Sequence, residues 1–230
     1  MTHQRALVSL NPLSLSFISF RAKYSDKADY KDIAYEMLRN FSLSFAGCDP
    51  VQLVIERAER TDQNDFLKIV PADELIIDKL IQPLIEARIC FCLGHYAACI
   101  AMAGTACEMT SLFIHELIDP EKASSWTGQG KRLKQLEKFP EVPKDFLTNA
   151  ETVRDVRNKY MHLLDRPKTD EEEDANLALW SALRAIDSLL DLKPTDVPGV
   201  LGLNVTPVKN YLRENGVITD ILSGEVPQDS

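Results

Sequence analysis

From Pro71 to about Leu192 apolar residues recur at spacings of three and four, and this period commits most of the chain to amphipathic helices. Such a helix must bury its apolar stripe against another element, so a succession of them implies an antiparallel bundle. Asp73 suits the N-cap of a first helix reaching about Leu93, with Leu75, Ile76, Leu80, Leu84 and Ile85 toward the core. Gly94-His95 marks a bend. Tyr96 to Ile118 reads as a second, long helix, lined with Ala97, Ala98, Ala101, Ala103, Gly104 and Ala106 and ended by Asp119-Pro120. After the loop Thr127-Gly-Gln-Gly130, Lys131 to Phe139 forms a short basic helix, and Pro140 and Pro143 bracket a turn. A fourth helix opens at Asp145 or Thr148 and runs to Leu164, before Arg166-Pro167. Glu171 to Leu192 is the fifth, its acidic first turn facing the positive end of the helix dipole. The expected class is therefore mainly α, with a bundle of about five helices over residues 71–193.

The flanking segments differ in texture. In residues 1–70, Leu13-Ser-Leu-Ser-Phe17 and Phe41-Ser-Leu-Ser-Phe45 alternate apolar and small polar residues, as half-buried strands do. Val51-Gln-Leu-Val-Ile55 is a third candidate strand, and Tyr30 to Arg39 reads as a helix. Together they suggest a small α+β element whose role the sequence does not reveal. Residues 194–230 form an extension in which Thr206-Pro207 starts one short helix and Asn215-Gly216 closes it.

A net charge of −9 argues against a surface built to grip duplex nucleic acid. The charge is uneven, however: residues 131–168 carry 10 Lys/Arg against 6 Asp/Glu, a local +4 in a chain otherwise at −13. A basic zone of this extent fits a phosphate-binding site of limited size. Four of the five cysteines (Cys90, Cys92, Cys99 and Cys107) lie in apolar helical sequence without the spacing of a zinc site, and read as small core residues in a reducing, cytosolic setting. Neither a metal nor an organic cofactor is expected. Ile89 to Cys107 lacks Asp, Glu, Lys and Arg, but its Ala, Cys and Thr content and the Gly94 break favour a buried helix over a membrane span. Trp126 and Trp180 read as packing residues, with no stacking platform for bases.

The fourth helix carries the candidate chemistry. Leu147, Ala150, Val153, Val156, Tyr160, Leu163 and Leu164 mark its core stripe, and Arg157, Asn158 and His162 fall off that stripe. Asn158 and His162 are one turn apart, while Arg157 sits at the shoulder, where its stem can pack and its guanidinium can reach out. A histidine exchanges protons near neutral pH, an arginine offers a planar fork of donors to phosphate oxygens, and an asparagine can orient either. This set suits RNA cleavage without a metal, in which the 2′-hydroxyl attacks the adjacent phosphorus.

Val153-Arg-Asp-Val-Arg-Asn-Lys-Tyr-Met-His162 resembles the motif of the HEPN family, an arginine followed by a polar residue and, four to six residues on, a histidine. Here these are Arg157, Asn158 and His162; Arg154, followed by Asp155 and eight residues before the histidine, fits less well. The resemblance covers roughly Asp73 to Leu192. It implies an antiparallel HEPN-type bundle that dimerises, bringing two motifs together, and a metal-independent endoribonuclease of toxin–antitoxin or other defence systems. Other members are non-catalytic modules that bind a protein partner or nucleotide. An antitoxin or a nucleotidyltransferase is a further partner the family suggests. Members often carry an acidic residue in the helix preceding the motif helix. Glu108 matches it, and a charge in that apolar setting needs a partner, for which Arg157 is the natural candidate. On this reading Arg157, Asn158, His162 and Glu108 form the catalytic set, and Lys131, Arg132, Arg154 and Lys159 draw in the RNA backbone.

Overall fold

The computed structural model describes residues 6–9, 50–62, 69–123, 127–161, 170–194 and 201–218. The candidate strands at 13–17 and 41–45, the helix at 30–39, Trp126, His162, and the chain stop at Arg166-Pro167 lie outside them.

Strand β1 (Ala6–Ser9) pairs antiparallel with β2 (Ile69–Ala72), Ala6 opposite Ala72 and Ser9 opposite Ile69. Between them in sequence lies helix α1 (Pro50–Asp62), where a strand had been expected over Val51–Ile55. The five-residue apolar run is too short to define a period. The strong helix formers that follow it, Glu56 to Arg60, extend it into a helix with Val51, Val54, Ala58 and Thr61 turned inward at spacings of three and four. Pro50 suits its first turn because it has no N–H to lose.

Asp73 caps the next helix as its residue type predicts, accepting a hydrogen bond from Ile76 N at 2.9 Å. The helix begins as α2 (Glu74–Ile76), widens into a π-helical stretch (Ile77–Ile81), and continues as α3 (Gln82–Cys92). Ile76, Leu80, Ile81, Leu84 and Ile85 are buried, but Leu75, expected in the core, is 47% exposed. The wider turn changes the angular step between residues, so a regular helical period misassigns the face at its start.

Gly94, with φ +76°, reverses the chain into α4 (Tyr96–Ile118), whose ends match the sequence expectation. Then come α5 (Gln129–Leu136), α6 (Lys144–Met161) and α7 (Glu171–Leu190). Helix α4 is central and packs against α3, α6 and α7; its buried Ala103, Gly104, Ala106 and Cys107 let neighbouring backbones approach. The end of α6 meets the start of α7, so these two run antiparallel.

The chain beyond α7 joins the same core. Leu192 leaves the helix for strand β3 (Leu192–Pro194), which pairs antiparallel with β4 (Leu201–Leu203) in a small hairpin that the sequence had not suggested. Helix α8 (Thr206–Glu214) buries Val208 and Leu212, and Gly216 follows it with φ +67°. Tyr211 packs edge-on against Phe113, its hydroxyl donating to Asp73 Oδ2.

Candidate functional site

Arg157 projects from the last third of α6 toward α4, where Gly104 leaves room for it. A Cβ at position 104 would stand 2.5 Å from Arg157 Cδ. Past that notch the guanidinium reaches Glu108, one turn along α4, with Nη1 3.0 Å from Oε2. The sequence pointed to this partner. The pair is partly open to solvent, the side chains being 20% and 39% exposed. Asn158, half-buried, is the next residue on α6. Cys107 lies fully buried beside them; burial pushes its thiol up to about 12 against the opposing pull of Arg157, which leaves it an unreactive core residue near neutral pH.

Arg132 is corrected by the structure. Expected at the surface as an RNA contact, it is 1% exposed and among the largest fully buried side chains. Its guanidinium donates to Ser111 Oγ at 3.2 Å, Thr127 O at 2.7 Å and Glu108 O at 3.5 Å. It braces from within the turn of α4 that presents Glu108, and the donors it uses there do not face solvent phosphates.

The other expected RNA contacts divide. Lys131 is exposed on α5. Arg154 pairs with both Glu151 and Asp155 and lies across Gly130, where a Cβ would meet its Nη1 at 2.5 Å. Lys159, 42% exposed, sits 3.3 Å from Asp174 on α7. The same carboxylate accepts from Tyr160 Oη at 2.9 Å. The first turn of α7 thus does more than complement the helix dipole, since Glu172 also accepts from Tyr96 Oη at 2.6 Å and pairs with Arg60 of α1 at 2.7 Å. Burial and Glu172 together push the Tyr96 hydroxyl up to about 12, so it remains a donor. Sequence reasoning missed Gly104, Tyr160 and Asp174 as parts of this region; the signal was that Gly104 lies one turn before Glu108 and that Asp174 belongs to the acidic first turn of the fifth helix.

No group of three or more His, Cys, Asp or Glu among the described residues is arranged to hold a metal ion. A polar cleft of about 570 Å³, lined by Glu141, Asp145, Asn149, Arg184, Asp187 and Asp191 among others, opens at the start of α6, away from Arg157. Comparison with known protein families, with curated proteins and with solved structures gives no match to this chain.

Proposed function

We propose that this protein is a metal-independent endoribonuclease of HEPN type, working as a homodimer. The observation that carries the reading is the Glu108–Arg157 ion pair, held by the Gly104 notch and braced by Arg132, beside Asn158 and five residues before His162. A half-open carboxylate fixes the arginine's direction while leaving guanidinium donors for a phosphate. In the reaction the RNA 2′-oxygen forms a bond to phosphorus and the bond to the 5′-oxygen breaks. The proton lost by the 2′-hydroxyl goes to a base and the leaving oxygen receives one. His162 fills the acid or base role, Arg157 offsets charge on the phosphoryl oxygens, and Asn158 orients them.

The outward face of α4 supports the second copy. Ala97, Ala98, Ala101 and Thr105 are exposed and uncharged along one face, and Glu108 lies one turn further on. By length and composition this helix is apolar enough to cross a membrane, yet only 56% of its most apolar window is buried within the chain. A matching α4 would cover that face and bring two Glu108–Arg157 pairs close together.

One observation favours a non-catalytic binding module instead. Arg132 is buried, and Arg154 and Lys159 are occupied by carboxylates, which weakens the attraction of this face for RNA. Cleavage of mixed cellular RNA in EDTA separates the two. Products from the wild type that vanish in Arg157→Ala and His162→Ala support the nuclease; a folded wild type that cuts no RNA but retains a partner supports the module.

A further inference from the structure

Helix α5 begins without a capping side chain. Its N-cap is Gly128, and its first turn carries no acidic residue. The amides of Lys131 and Arg132 turn back to Gly128 O, which leaves those of Gln129 and Gly130 with no acceptor among the described residues. The backbone does not require glycine at 128, where φ is −58°, and a Cβ there would meet no atom within 4 Å. The space in which a capping oxygen would stand is therefore open.

Cations gather at this end of the helix, where the dipole is already positive. Lys131 is exposed, Arg132 reaches back inside the turn to the Thr127 carbonyl at 2.7 Å, and Arg154 of α6 lies across Gly130. Glu151 and Asp155 pair with Arg154, but both are held by Nη2; Nη1 rests against Gly130, and Nε is buried without a partner. An independent observation points to a ligand. Gln129, the first residue of α5, is 3% exposed, and neither its Nε2 nor its Oε1 has a hydrogen-bond partner. Buried amides are almost always paired. A helical side chain leans toward the N-terminus of its helix, so from the first position this amide reaches toward the space that the free N–H groups face.

We propose that this turn is a phosphate-binding site: the Gln129 and Gly130 N–H groups and the Gln129 side-chain amide donate to a phosphoryl group, and Lys131 and Arg154 offset its charge. Arg154 stands three residues before Arg157 on α6, roughly 4.5 Å along the axis, so the phosphate lies beside the candidate site. An RNA strand and a free nucleotide present the same group. Under the nuclease reading it is a neighbouring phosphate of the bound strand, and only that assignment rests on the reading.

The test follows the backbone amide resonances of Gly128, Gln129 and Gly130 in the full chain. The probes are inorganic phosphate, a ribonucleoside 5′-monophosphate, and a short RNA methylated on its 2′-oxygens and so resistant to cleavage; chloride at matched ionic strength is the control. Each phosphate compound is expected to shift these amides, and chloride is not. Gln129→Met keeps the volume and loses the amide, and should weaken phosphate binding on the order of tenfold with the unfolding temperature unchanged or raised. Gly128→Asp places a carboxylate in the open space as a cap, and should raise the unfolding temperature while abolishing the response. RNA binding at least tenfold tighter than monophosphate binding supports the strand as carrier; equal binding supports the free nucleotide. Amides that ignore all the phosphate compounds, or answer chloride as strongly, overturn the proposal, as does a Gln129→Met protein that binds like the wild type. A wild type that cuts RNA in EDTA without this response keeps the nuclease reading and loses the site; the response without cleavage does the reverse.

Discussion

Adding one methyl group at Gly104 would press on the middle of the Arg157 side chain, at 2.5 Å from Cδ, and the stem can yield only by leaving its notch. Gly104→Ala should therefore separate Arg157 from Glu108 and abolish most RNA cleavage. Helix propensity gained and overpacking incurred nearly offset, so folding stability should change by no more than about 2 kcal/mol; parallel denaturant and cleavage assays check both. His115, 1% exposed on α4, gives a pH prediction. Burial first, then the Arg132 charge, pull its proton affinity below the ordinary value, Lys122 adding to this while Asp119 and Glu116 oppose it. The unfolded chain then binds the proton more readily, so this contribution to stability is complete above about pH 6.5 and is lost as pH falls toward the lower folded value. Denaturant midpoints measured from pH 7.5 to 5 should drop more steeply for the wild type than for His115→Gln. At this scale the ion pair was legible because a lone glutamate among alanines needs a cation. Arg132 was not, because its burial depends on Ser111 and on the Thr127 carbonyl, which no local pattern announces.

Among the elements, α4 was read to the residue, since Gly94 and Asp119-Pro120 punctuate a long unambiguous stretch. Helix α1 was misread because its apolar run is too short to choose between periods, and both two-stranded sheets escaped notice because their strands are only three or four residues long. Asp73 shows how elements far apart in sequence share one residue: it caps α2 and also accepts the Tyr211 hydroxyl of α8. Asp73→Ala should cost about 2 kcal/mol, roughly 1 for the cap and 1 for the hydrogen bond. Tyr211→Phe should cost about 1 kcal/mol, and the double variant less than their sum. Equilibrium denaturation of the three proteins measures this, and strict additivity would show that the hydroxyl contributes nothing through Asp73.

For the molecule as a whole, the uncharged outer face of α4 predicts the state of assembly. Ala101→Glu should convert a dimer to a monomer in sedimentation velocity and remove RNA cleavage, with the melting of the isolated chain little changed because the position is exposed. A wild type that sediments as a monomer at all accessible concentrations would contradict the proposed assembly. The same architecture limits how such a gene can vary. A π-helical turn is what an α-helix becomes when it accommodates one residue more than its turn requires, and this one lies between Asp73 and the bundle. A single-codon deletion within Ile77–Ile81 would remove that extra residue and restore a regular helix, whereas a further residue inserted there would swing everything before it by about 100° with a 1.5 Å shift along the axis. Asp73 would lose Tyr211, and β2 would turn away from β1. Substitutions at the exposed Asp78 and Lys79 are thus tolerable where an added residue is not.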